Sequence, residues 1–215
     1  MKLHLPPQGS LTAVGDDDPL RYYYHPFVGW LYRQRLQVAL RLLQSRGGRC
    51  LDLGCGSGVL LPSLALGFDE VHGLDLHDRL DRARDRLSAM SVAAALQQGS
   101  VYELPFRDDT FDAVVAISML EHLHDLPSAF TEIARVLKPT GEAVFGFPAR
   151  GRMMSLLFRL IGFWNIEEHH VAGPREILGA TSQLLHHQQQ QVFPGWLTGP
   201  LQLYFWVRAT QQNAI

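Results

Sequence analysis

Between residues 49 and 147, short apolar runs alternate with segments whose apolar side chains recur every three or four positions. The apolar runs predict strands buried on both faces, as in parallel sheets. The amphipathic segments between them predict helices that pack on such a sheet. This alternation favours right-handed βαβ units and an α/β fold. The predicted strands are 49–53, 71–76, 92–96, 111–117 and 143–147, and the predicted helices are 59–66, 79–90 and 127–137.

The two ends of the chain have a different pattern. Residues 1–20 are rich in proline, glycine and aspartate and predict an irregular N-terminal lead-in. A helical pattern follows and ends at Gly47-Gly48. No linker divides the rest, so we predict one domain over residues 21–215, with substrate-side lid elements around residues 21–46 and 150–185. The last elements predicted are helices at 152–163 and 175–185 and strands at 190–193 and 201–208.

Residues 152–164 form an apolar segment with few polar interruptions. Four uses are open for such a helix: a lid over a hydrophobic acceptor, a dimer face, a membrane-surface helix, or packing against the sheet. The pattern alone does not choose among them.

The net charge and the cysteines of the chain limit which partners and which cellular compartment are expected. The formal net charge is −2, which provides no general attraction for a phosphate backbone, so no nucleic-acid partner is expected. A small local basic patch formed by Arg33, Arg35, Arg41 and Arg46 is left as an alternative. Cys50 and Cys55 flank an extended run and are too far apart to form a disulfide. Reduced thiols favour the cytoplasm, and neither a signal peptide nor a membrane-spanning helix is expected.

The strongest motif is Asp52-Leu53-Gly54-Cys55-Gly56-Ser57-Gly58, which follows the first strand. Glycine allows a strand to turn sharply into a helix while its backbone approaches a ligand. Asp75 ends the second strand, about 20 residues on, where an acidic side chain can accept hydrogen bonds from ribose hydroxyls. Dinucleotide sites have a wider Gly-x-Gly-x-x-Gly spacing, and an acidic Asp52 suits an ammonium group better than a pyrophosphate.

This motif resembles motif I of class I S-adenosylmethionine-dependent methyltransferases. The segments 98–106 and 109–115 are similar to the third and fourth motifs of the small-molecule, type 11 branch. Leu120-Glu121-His122 and residues 137–142 are also typical of it, so the resemblance covers roughly residues 48–148. It implies a Rossmann-like, seven-stranded, mostly parallel sheet with helices on both faces and the last strand antiparallel.

The resemblance also implies S-adenosylmethionine as cofactor and a role for each motif residue. The glycine loop would pass the methionyl part, with Asp52 near its amino group and the backbone of Ser118 at its other end. Asp75 would bind the ribose. Ser100 stands where the family usually has an acidic residue, which predicts weaker hold on the adenine amino group. The cofactor-binding candidates are Asp52, Gly54, Cys55, Gly56, Gly58, Asp75, Leu76, Ser100, Val101 and Ser118.

The expected reaction is methyl transfer to an O, N or C atom of a small-molecule acceptor, with an apolar ring compound as one candidate. Transfer from a sulfonium depends mainly on positioning and on excluding water. A base is needed only for a hydroxyl, a protonated amine or an acidic carbon. His122 is the leading candidate base, Glu121 is expected to orient it or contact substrate, and His169 and His170 are further candidates. Each histidine also has a structural interpretation.

Two other functions are weighed against this one, and no metal site is expected. The sequence has neither converging carboxylates nor a zinc-ligand spacing that would predict one. A non-catalytic cofactor-binding or regulatory protein of the same fold is an alternative, favoured slightly by Ser100. A methyltransferase acting on tRNA or protein is another, although near-neutral charge argues against it.

Overall fold

The computed structural model describes residues 1–15, 18–149, 171–198 and 201–211, and in this part the chain forms one seven-stranded sheet with flanking helices. The strands are β1 Arg49–Leu53, β2 Glu70–Asp75, β3 Ala95–Gln98, β4 Phe111–Ile117, β5 Leu137–Pro148, β6 Leu185–Phe193 and β7 Tyr204–Gln211. The α-helices are α1 Leu20–Tyr23, α2 Gly29–Leu42, α3 Leu61–Leu64, α4 Leu80–Ala89, α5 Leu126–Val136 and α6 Pro174–Leu184, with a 3₁₀ helix at Leu120–His122.

The strand order is β3-β2-β1-β4-β5-β7-β6. β1 to β5 pair in parallel, whereas β7 runs antiparallel to both β5 and β6. β6 therefore runs in the same direction as β5. The predicted seven-stranded, mostly parallel α/β sheet with an antiparallel last strand is confirmed.

Successive side chains of β4 point to opposite faces of the sheet and belong to two separate halves of the core. Ala113 and Val115 belong to the cluster under α2, α3 and α4, while Val114 and Ala116 belong to the cluster under α5 and α6. The continuous apolar run of β4 exists because both faces of the sheet are covered, so neither side of the strand needs polar residues.

Several predicted boundaries differ from the structure, among them the helix predicted at 59–66, which is Leu61–Leu64, and the strand predicted at 143–147, which is Leu137–Pro148. Three other differences have evident local reasons. The long helix predicted before β1 is two helices, because Pro26 lies in the break between α1 and α2. The third strand starts at Ala95 because the amide of Val92 is used to close α4, donating to the Leu87 carbonyl at 2.9 Å. β6 extends back to Leu185 through a polar glutamine run, which an edge strand tolerates because its side chains face water.

The described residues before Leu20 form no helix or strand, yet they are bound to the domain. The terminal ammonium group of Met1 donates to the Leu40 carbonyl at 3.0 Å. The amide of His4 donates to Ser63 Oγ at 2.8 Å. These contacts attach the lead-in to α2 and α3, on the side of the sheet where the functional cleft opens.

Two buried groups of the sheet hold α2, one at its middle and one just after its last residue. The indole Nε1 of Trp206 on β7 donates to the Arg35 carbonyl at 2.9 Å. After the helix, the amide of Gln44 donates to the buried carboxylate of Glu142 at 2.6 Å. α2 therefore begins at the edge where β1 and β4 end, and it finishes near the opposite edge.

Candidate functional site

A cleft of about 280 Å³ lies where β1, β2 and β4 end. The strand order reverses between β1 and β4, and in open α/β sheets ligands bind in the crevice at such a switch point. The lining residues come from the lead-in, α1, α2, the glycine loop and the ends of the three strands: Val14, Gly15, Asp18, Pro19, Tyr23, Arg35, Leu36, Asp52, Gly54, Cys55, Gly56, Ser57, Val59, Leu60, Asp75, His77, Ile117 and Ser118.

The glycine loop is built by left-handed backbone that side chains would disfavour. Gly54 has φ +71° and a Cβ there would come within 2.8 Å of the Met119 side chain. Gly56 has φ +51°, and the space a Cβ would occupy is open. The open space beside Gly56 lets a ligand approach the backbone closely. Gly58 serves packing instead, since a Cβ would meet Leu61 and Leu87 at 3.1–3.2 Å.

Two carboxylates stand at the floor of the cleft. Burial, and then the charge of Asp75, raises the pKa of Asp52 to about 8. Asp75 accepts the amide hydrogen of Gly56 through Oδ2 at 2.8 Å. The desolvated Asp52 carboxyl is stabilised in its ionised form only if a cation comes to lie beside it.

Arg35 brings a positive charge to the same cleft. Its side chain is buried, its guanidinium stacks over the Tyr32 ring at 4.0 Å, and its Nη1 donates to Ser118 Oγ at 3.2 Å. Its Nε has no hydrogen-bond partner among the described residues. Because arginine stays charged when buried, the cleft holds a cation with an unused donor as well as the two carboxyl groups.

Ser118 connects α2 to the sheet at the end of β4. Its φ is +56°, and its amide donates to the Gly146 carbonyl at 2.7 Å. Its hydroxyl lies 2.8 Å from the Tyr204 hydroxyl and accepts from Arg35. Ser118 therefore presents both backbone and side chain to the cleft, in a network of three buried or partly buried polar groups.

Six of the ten predicted cofactor-binding residues line the cleft: Asp52, Gly54, Cys55, Gly56, Asp75 and Ser118. The other four lie outside its lining. Leu76 is 68% exposed, Val101 is buried in the α5-side core, and Ser100 Oγ accepts from the Tyr102 amide at 3.2 Å. Gly58 packs against α4, as described above. The cofactor roles of Leu76, Ser100 and Val101 stay predictions.

The candidate catalytic residues fall in three different environments. Glu121 is buried, and its Oε2 has no hydrogen-bond partner among the described residues. Burial is the main cause that raises the pKa of Glu121 to about 8, while Arg35 opposes the rise. His122 is exposed. His169 and His170 lie outside the described residues, as does the segment 152–164.

Sequence reasoning missed several residues that line the cleft. Arg35 was assigned to a possible surface patch, and this is wrong because its side chain is only 8% exposed. Asp18 and His77 also line the cleft. His77 could have been predicted to lie at the site, because it is only two residues after Asp75 in the sequence. No local pattern marks Arg35, because its contact with Ser118 spans 83 positions.

The described residues contain no group of three or more His, Cys, Asp or Glu side chains able to hold a metal ion. In the same part of the chain, no helix is both long and apolar enough to cross a bilayer.

Residues 51–145 match a family model described as a methyltransferase domain. The ubiquinone biosynthesis O-methyltransferase of Alkalilimnicola ehrlichii is 37% identical over 158 residues, which are 73% of this chain and 58% of that protein. The 2-phytyl-1,4-naphtoquinone methyltransferase of Synechococcus elongatus is 40% identical over 106 residues, 45% of this chain and 44% of that protein. The chain thus spans less than two thirds of the length of these relatives.

Solved structures of other proteins have the same fold as this chain. The geranyl diphosphate C-methyltransferase of Streptomyces coelicolor, crystallised with S-adenosyl-L-homocysteine, superposes with a TM-score of 0.73 at 17% identity, covering 93% of this chain and 87% of that one. The shared sheet, the glycine loop at its switch point and the family model lead to one assignment. This chain belongs to the class I S-adenosylmethionine-dependent methyltransferases, and its family model is that of the type 11 branch.

Proposed function

We propose that the protein binds S-adenosylmethionine in this cleft and transfers its methyl group to a small-molecule acceptor. The observation that carries the proposal is a buried carboxyl group, Asp52, and a buried cation, Arg35, in one cleft beside the glycine loop. The methionyl end of the cofactor is a zwitterion, with an ammonium and a carboxylate on the same carbon. Opposite charges in a desolvated cleft are complementary to such a group.

The residues present fit the cofactor on two structural grounds. The open space at Gly56 admits a ligand against the backbone, and the unpartnered Nε of Arg35 offers a donor that a carboxylate would satisfy. Asp52 would hold the ammonium, Arg35 the carboxylate, and Asp75 the ribose hydroxyls. When bound, S-adenosylmethionine supplies a methyl group already activated on a sulfonium. The chain's own contribution is then to position the acceptor and exclude water.

In this proposal, helix α2 and the N-terminal lead-in cover the cleft. Tyr23 and Arg35 line it from the N-terminal side, which agrees with a substrate-side lid around residues 21–46. The lid role of residues 150–185, and a membrane or dimer contact through 152–164, stay predictions. The two buried free cysteines support the cytoplasm, where thiols stay reduced, as the proposed compartment.

For the acceptor we infer a hydroxylated or quinone-related ring compound. The support is the printed functions of the two relatives described above, an O-methyltransferase of ubiquinone biosynthesis and a naphthoquinone methyltransferase. If the acceptor is a hydroxyl, Glu121 is the stronger candidate base, because its carboxyl lies near Arg35, which lines the cleft, and a carboxylate whose pKa is about 8 is a stronger proton acceptor than an ordinary one once it is ionised. His122 is the alternative.

An assay of methyl transfer from labelled S-adenosylmethionine to hydroxylated aromatic rings of increasing lipophilicity tests this function. We expect turnover with at least one ring, and a lower kcat with an altered pH profile in Glu121→Gln. If His122→Asn changes the pH profile and Glu121→Gln does not, His122 is the base. Cofactor binding without transfer to any small molecule, tRNA or protein would favour the non-catalytic alternative.

The affinity for S-adenosylmethionine should rise with pH. Asp52, with its pKa raised to about 8, is mostly protonated at pH 6, and an ammonium group requires the carboxylate. Binding therefore releases a proton, so the association constant increases by up to about tenfold per pH unit between about pH 6 and 7.5. Calorimetry in buffers of different ionisation enthalpy measures this release. Asp52→Asn should bind more weakly and with no such slope, and an equal slope in that variant would contradict the assignment.

A further inference from the structure

Three large aromatic side chains are exposed close to one another in the chain's fold. Phe27 is 87% exposed, Trp30 is 51% exposed and Trp196 is 82% exposed. Trp30 packs edge-on against Phe193, with ring centroids 5.7 Å apart, so the start of α2 is joined to the end of β6. We call Phe27, Trp30, Phe193 and Trp196 the aromatic patch. Phe27 precedes Trp30 by three residues and Trp196 follows Phe193 by three, so the exposed rings are grouped around this one contact. Single exposed apolar residues are normal, whereas large exposed rings grouped in this way mark an interaction site.

The aromatic patch lies at the functional edge of the sheet. β6 runs in the same direction as β5, so its last residue, Phe193, is at the edge where the parallel strands end. α2 begins at this edge, and Arg35, five residues after Trp30, lines the cleft. The aromatic patch therefore stands beside the opening of the cleft and not behind the domain.

The charge of this region is one-sided. Residues 19–34, which include α1 and the start of α2, contain two arginines and no aspartate or glutamate, although the whole chain has a net charge of −2. Of the two, Arg21 is exposed, and it lies six residues before Phe27. Basic residues beside a membrane surface are attracted to anionic lipid, and indole and phenyl rings favour the interface between headgroups and acyl chains.

We propose that the aromatic patch docks the protein on the surface of an anionic lipid bilayer, with the opening of the cleft beside the membrane. The exposed area of its three outer rings is on the order of 400–500 Å². A stable protein interface needs about 800 Å² from each partner, so a second copy of the chain is a poorer occupant. A bilayer needs only a few inserted rings and nearby basic charge.

Vesicle flotation tests the proposal with the whole chain. The probes are large unilamellar vesicles of phosphatidylcholine, either pure or with about one third phosphatidylglycerol. We expect flotation with the anionic vesicles, a blue shift of tryptophan emission, and at least about tenfold weaker binding in the double variant Phe27→Ser, Trp196→Ser. The matched control is Leu66→Ser, which removes a side chain 74% exposed beside the start of β2, at the opposite edge of the sheet.

The outcomes separate docking from the proposed function. S-adenosylmethionine binding by the double variant, measured by calorimetry without vesicles, reports on the cleft and on folding independently of lipid. Equal vesicle binding by the wild type and the double variant, or none by a folded wild type, would overturn the proposal. So would a wild-type dimer that the double variant converts to a monomer, since the aromatic patch would then be an interface between copies.

Discussion

Replacing Asp75 with alanine is expected to lower the affinity for S-adenosylmethionine about 100-fold or more. A carboxylate that accepts two ribose hydroxyls makes two charge-assisted hydrogen bonds, each contributing about 1.5–3 kcal/mol. Asp75 also accepts the amide hydrogen of Gly56 at 2.8 Å, so alanine removes a support of the glycine loop as well. Both losses weaken the same site, and calorimetric titration measures their sum.

Asp75→Asn separates these two contributions. The amide oxygen of asparagine can still accept from Gly56, but its NH₂ group cannot accept from a hydroxyl. We therefore expect the loop to keep its conformation and the affinity still to fall at least about tenfold. Asp78→Ala, which alters an exposed carboxylate three residues further on, is the matched control and should bind as the wild type does. Wild-type affinity in both Asp75 variants would place the ribose elsewhere.

Glu121→Gln is expected to stabilise the ligand-free protein at alkaline pH. In the folded state burial raises the pKa of Glu121 to about 8, while in the unfolded chain it is about 4.3. Between these values the folded state binds more protons, so its free energy of unfolding falls as pH rises. The contribution of a single group is at most about 1.4 kcal/mol per pH unit. Burial of Asp52 acts in the same direction.

Urea unfolding at several pH values measures this effect. Relative to the wild type, Glu121→Gln should show a smaller loss of stability between about pH 5 and 8, with a gain on the order of 2–4 kcal/mol at the upper end and little difference near pH 4. Glu103→Gln, a change at an exposed glutamate, should leave the slope as it is. A slope unchanged by Glu121→Gln would mean that this carboxyl does not titrate in the window.

The environments of Glu121 and His122 show where local pattern stops being informative. Both follow β4 and both were candidates for proton transfer. The structure buries Glu121 beside the charge of Arg35 and leaves His122 exposed. Adjacent residues in a 3₁₀ turn point in different directions, and only the packing around the turn decides which of them is desolvated.

The strands and the glycine loop were accessible from sequence because their causes are local. An apolar run such as 111–117 predicts β4 with the observed bounds, since a strand covered on both faces has no polar side. Glycines at 54 and 56 predict a turn that side chains disfavour, and both have positive φ. β6 was predicted too short because a solvated edge strand has no apolar period to detect.

By itself, the sequence determined the sheet, its mostly parallel order, the glycine loop and the acidic residues at 52 and 75. Each of these depends on spacing within one element or between neighbours in the chain. Only the tertiary structure decided that Arg35 faces Ser118 across 83 positions, that Trp30 meets Phe193, and that Glu121 is desolvated. The protonation state and the exposure of a side chain depend on which distant elements pack around it. No local pattern in the sequence contains that information.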